Sequence, residues 1–122
     1  MQELHLDIKD MDKRHDEFLE ILTKTQDASK QNFLGLYKEL IEHTQEHFSF
    51  EEALMKQKSY YGLQEHKDEH NNLLSEMEFF YEKAEKMPAF GHSYIHDYAL
   101  DKFTRHIMNI DSQLAMFLKE EV

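Results

Sequence analysis

The sequence contains no cysteine. Disulfides, thiolate metal ligands and a cysteine nucleophile are therefore excluded. Proline occurs once and glycine three times in 122 residues. So few breakers favour long helices over many short strands. Positive charge is scarce: 14 Lys and Arg stand against 25 Asp and Glu, a formal net charge of -11. Without clustered cations the chain is no partner for nucleic acid, whose phosphates demand them. An anionic membrane surface is disfavoured for the same reason. No apolar run approaches a membrane-spanning length, and Met1 to Asp10 shows no apolar stretch with a basic flank. These absences lead to the expectation of a cytoplasmic protein in which residues 1–122 form a single domain around one core.

What the sequence does have is histidine, nine in all. Imidazole is the commonest metal-binding side chain, so the arrangement of these residues decides the reading. Four amphipathic segments provide the frame. The periodicity predicts helices over Met11–Gln26, Asn32–Gln57, Leu63–Lys86 and Ser93–Lys119, with Asp10 or Asp12 capping the first. The predicted apolar stripe of the second helix is Phe33, Leu36, Leu40, Thr44, His47, Glu51 and Leu54. The stretch Met87 to Gly91, around Pro88, reads as a turn. Short connections between long helices predict an all-α, antiparallel up-down-up-down four-helix bundle. Gly35 falls inside the second helix, at a cost of about 1 kcal/mol relative to Ala, with no reason visible in the sequence.

Each apolar stripe is interrupted by residues that do not belong in a core. These are His15 in the first helix, His47 and Glu51 in the second, His66 and His70 in the third, and His106 with Asp111 nearby in the fourth. Burying unpaired charge is costly, and a metal ion compensates by accepting every lone pair at once. At about 1.5 Å per residue, the distances from these residues to the intervening breaks match closely enough to place all of them at one depth of an antiparallel bundle. His66 and His70 are four apart, as are His47 and Glu51, so each pair projects from one helix face. Glu52 is read as turned away. Asp111 follows His106 by five residues, about 140° around an ideal wheel. It reaches the others only from the flank or through a local distortion such as a π-bulge. Five imidazoles and two carboxylates exceed one tetrahedral zinc site. They suit two six-coordinate ions bridged by carboxylates, and mixed nitrogen and oxygen donors suit iron. His5, His43, His92 and His96 are read as surface, rim or bundle-end residues.

These positions carry a family pattern. Asp12 to His15 resembles the D-x-x-H opening of hemerythrins. His47 to Met55 is similar to their H-F-x-x-E-x-x-L-M motif, His66 to His70 to H-x-x-x-H, and His106 to Asp111 to H-I-x-x-x-D. The order and spacing of all four agree. The resemblance implies two iron ions (Fe2+/Fe3+) joined by an oxo or hydroxo bridge. His66, His70 and His106 would fill one iron, while His15 and His47 would bind the other and leave a position open. Glu51 and Asp111 would bridge the two. Molecular oxygen would bind reversibly at the open iron as a hydroperoxide, in a dry pocket lined by Phe48, Phe103 and Ile107. An electron donor of unidentified kind would keep the centre reduced. The resemblance implies oxygen storage, delivery or scavenging rather than catalysis. The alternatives are a di-iron oxidase, a peroxide- or nitric-oxide-handling enzyme, and an oxygen or redox sensor. Paired Glu-x-x-His motifs of ferritin-like oxidases are absent from the sequence. The chain departs from the family at Lys102 and Phe103, where an aromatic residue and a Leu are common. A narrower pocket of altered polarity is the expected consequence.

Overall fold

The helical periodicity is realised as four long helical stretches in the computed structural model, which describes residues 5–120. The ends of the expected 1–122 domain, and with them the first four residues of the Met1 to Asp10 stretch, lie outside the described residues. Helix α1 is Lys9–Gln26, α2 is Phe33–Gln57 and α3 is Leu63–Lys86. Helix α4 covers residues 88–120 without interruption but changes its winding. Pro88–Ser93, Leu100–His106 and Ser112–Glu120 are α-helical, whereas Tyr94–Ala99 and Ile107–Asp111 are π-helical. The described residues contain no strand. None of their helices is long and apolar enough to cross a membrane. The fold class is all-α, and the four helices bundle around a shared interior.

Local chemistry sets the helix ends, not always as the sequence suggests. Helix α1 begins at Lys9 with Ile8 at the cap position and no side-chain cap. Asp10 and Asp12 lie inside the first turn, where they complement the helix dipole instead of capping. Asp12 reaches back, and its Oδ1 accepts the Leu6 backbone N–H at 2.7 Å. Helix α2 ends in a Schellman turn: Tyr60 N–H donates to Met55 O at 2.9 Å and Ser59 N–H to Lys56 O at 3.3 Å. Ser59 takes the left-handed conformation this turn requires, with φ of 54°. The expected turn at Met87 to Gly91 is shorter than predicted. Met87 alone is extended, and Pro88 opens α4, because a ring that fixes φ and lacks an N–H suits the first helical position.

The interior has three layers. One apolar cluster includes Phe18, Tyr37, Phe48, Phe103 and Ile107. A smaller one holds Met11, Met55, Tyr60, Leu114 and Ala115. Between them on each helix sit polar residues with almost no exposure: His15 on α1, His47 and Glu51 on α2, His66 and His70 on α3, His106 and Asp111 on α4. The stripe of α2 is turned slightly from its expected position. Tyr37 and Met55 are fully buried, while Leu36 and Leu54 are half-buried. The Tyr37 hydroxyl is satisfied by donating to Met77 O at 2.7 Å, which lets an aromatic ring occupy a core position.

Candidate metal centre

The seven polar residues of the middle layer converge. One group of ligating atoms comes from Glu51, His66, His70, His106 and Asp111; a second comes from His15, His47, Glu51 and Asp111. Within each group the atoms all lie within 4.8 Å of one another. The two groups share their carboxylates, and the oxygens divide between them. Glu51 Oε1 is 3.2 Å from His66 Nε2 and 3.0 Å from His70 Nε2, whereas Oε2 is 3.1 Å from His47 Nε2. Asp111 Oδ1 is 2.9 Å from His66 Nε2 and 3.1 Å from His106 Nε2, whereas Oδ2 is 2.9 Å from His15 Nε2. Each acid thus keeps one oxygen on the side of His66, His70 and His106, close to two of them, and turns the other toward the side of His15 and His47.

Asp111 reaches this layer through the winding of α4. An i to i+5 turn holds more residues than an α-turn, so a residue five positions on swings back toward the starting face. The Ile107–Asp111 π segment does this, bringing Asp111 into the layer and leaving Ile110 half-buried. The distortion anticipated from the spacing is present.

Short distances alone do not make these contacts hydrogen bonds. His15 Nε2, His47 Nε2, His106 Nε2, Glu51 Oε2 and both Asp111 oxygens are buried without a hydrogen-bond partner. Unsatisfied polar atoms in an interior are costly, and a cation held among them would take up their lone pairs. The donor set is nitrogen and oxygen only, so it fits first-row transition ions rather than soft or purely oxygen-seeking ones. Electrostatics agree. Burial alone would lower the His15 and His66 imidazoles, but Asp111 and Glu51 outweigh it and lift each to about 9. Burial would likewise raise Glu51, yet His15, His47, His66 and His70 hold it well below the carboxylate range. Asp111 is depressed in the same way, against both burial and Glu51, chiefly by His106. The layer favours charge on both acids, and a cation would complete it.

A family model for the hemerythrin HHE cation binding domain matches residues 6–118. The chain belongs to the hemerythrin family. A bacteriohemerythrin from Ralstonia nicotianae is 35% identical over 72 residues, 59% of this chain and 53% of that protein. The chain therefore spans about half the length of the curated relative it matches. No solved structure matches it. The family is a cation-binding one, and the buried histidines and acids of this hemerythrin gather into two groups that could hold metal ions.

The apolar residues expected near the site are adjacent to it. Phe48 stacks on His70 with ring centroids 3.7 Å apart and 4° between planes. Phe103 stacks on Phe18 at 3.6 Å and stands at 86° to the His15 ring, 6.1 Å between centroids. Ile107 is fully buried in the same cluster. Lys102 does not alter the interior as expected; its ammonium lies at the surface, 2.7 Å from Glu76. His5 and His96 are exposed, His43 pairs with Glu17 at 3.5 Å, and His92 stacks on Phe33 at 3.9 Å, so none of them joins the layer. Glu52 is turned away from the ligating atoms, as expected, yet it is not idle. Its Oε2 accepts from His70 Nδ1 at 2.9 Å, reaching the layer from outside. The usable signal was that a buried imidazole binding through one nitrogen needs a partner for the other.

Proposed function

We propose that this hemerythrin holds two iron ions with a bridging oxygen from solvent and binds molecular oxygen reversibly, without turning it over as an enzyme would. The observation that carries the reading is the division of labour at Glu51 and Asp111, each with one oxygen on the side of His66, His70 and His106 and the other on the side of His15 and His47. In this reading His66, His70 and His106 saturate one ion. His15 and His47 would hold the other and leave it a free position, and Phe103 lies against His15 at 6.1 Å between ring centroids. When bound, the iron pair supplies electrons to the oxygen and recovers them on release. The chain's own task is to hold donors rigidly and keep water out. Phe48, Phe103 and Ile107, all buried, supply the dry wall that such reversibility demands.

The connections support an antiparallel up-down-up-down arrangement, because short links between long helices leave neighbours no other packing. A single domain, a cytoplasmic setting and an electron donor that reduces the centre belong to the same reading. The test is an optical spectrum of reduced, iron-loaded protein before and after air. A charge-transfer band that appears with oxygen and vanishes on its removal is expected. Immediate irreversible oxidation, with turnover of a reductant, would replace this reading with an oxidase.

A further inference from the structure

The five imidazoles of the centre are not held alike. The Nδ1 atoms of His15, His47, His66 and His106 are buried with no hydrogen-bond partner among the described residues. His70 differs: its Nδ1 donates to Glu52 Oε2 at 2.9 Å while its Nε2 faces Glu51 Oε1 at 3.0 Å. The ring itself lies flat against Phe48, 3.7 Å away. His70 is therefore fixed at both nitrogens and on one face. Glu52 keeps 27% of its side chain exposed, whereas that of His70 has none. The carboxylate thus spans from solvent to a fully buried donor.

An exposed ion pair holding two mobile side chains would count for little. Here one partner is immobile and desolvated, and the contact selects a tautomer. A carboxylate that accepts the Nδ1 proton leaves the Nε2 lone pair free and more basic. We propose that Glu52 is a positioning residue that makes the three-histidine position the tighter of the two metal positions, acting through His70. This rests on the two-ion reading above.

The experiment is anaerobic titration of the metal-free full chain with Fe2+ alone, comparing wild type, Glu52→Ala and Glu52→Gln, with helix content followed by circular dichroism. Wild type should take up two equivalents. Glu52→Ala should bind one equivalent about 10–100-fold more weakly and the other unchanged. Glu52→Gln keeps an oxygen acceptor for the Nδ1 proton with nearly the same shape, and should recover most of the affinity. The inference is overturned if Glu52→Ala binds both equivalents as wild type does, if both weaken equally, or if Glu52→Gln is as weak as Glu52→Ala. Wild type that binds fewer than two equivalents sinks the two-ion reading itself, and this inference with it. Two normal wild-type equivalents with indifferent Glu52 variants would sink the inference alone.

Discussion

Individual histidines in this protein do different work, and burial separates them better than type does. His70 and His92 both lie flat against a phenylalanine ring, His70 on Phe48 and His92 on Phe33. His70, however, has an Nε2 within 3.0 Å of a buried carboxylate, whereas His92 is a half-buried residue near the start of α4. Removing the first imidazole deletes a donor and leaves Glu51 less compensated; removing the second deletes only packing. Iron content by elemental analysis should therefore fall in His70→Ala and stay at the wild-type value in His92→Ala. His92→Ala should show its effect in thermal stability instead, by about 1 kcal/mol, the usual scale for a lost aromatic pair. Equal iron in both variants would contradict the ligand assignment.

At the level of the helix, two glycines make opposite demands. Gly35 in α2 is exposed, and a Cβ there would meet nothing within 4 Å. Its presence gains no packing, so Gly35→Ala should stabilise the fold by about 0.4–1 kcal/mol through the lost freedom of the unfolded chain. Gly91 in α4 is buried, and a Cβ there would collide with Ala84 Cβ on α3 and come within 3.0 Å of the Phe33 ring. Gly91→Ala should destabilise by about 1–3 kcal/mol, the range for overpacking a filled interior. Chemical denaturation of the two variants checks both signs, and a destabilised Gly35→Ala would show that α2 needs flexibility at that point. The same close crossing starts α4 in register with α3. Its π turns then adjust the face that α4 presents, so that His106 and Asp111 arrive together.

Across the whole molecule, what could be read from sequence followed from periodicity, and what could not depends on neighbours. The helix spans of α1 to α3 were legible to within two residues because apolar spacing of three and four is a property of one strand of sequence. His15, His47, Glu51, His66, His70 and His106 were legible because each replaces an apolar residue in such a stripe. Glu52 was not, because the flank of α2 becomes interior only where α3 docks beside it. Tyr37 likewise escaped notice because its hydroxyl finds the Met77 carbonyl on another helix. The polar layer between two apolar clusters has a consequence for the stability of the entire bundle. In the metal-free protein, His15 and His66 titrate near 9 when folded, against about 6.5 in an unfolded chain. A raised value means that the folded state holds its proton more tightly. That contribution is complete below about pH 6.5 and disappears as pH rises through 9. The melting temperature of metal-free protein should therefore fall between pH 6.5 and 9.5. Metal binding runs the other way, since a ligating imidazole must first release its proton, so added Fe2+ should raise the melting temperature more at pH 8.5 than at pH 6. Anaerobic melting curves with and without Fe2+ measure both slopes. A metal-free melting temperature that is flat across this window would mean that the buried acids do not hold protons on these imidazoles.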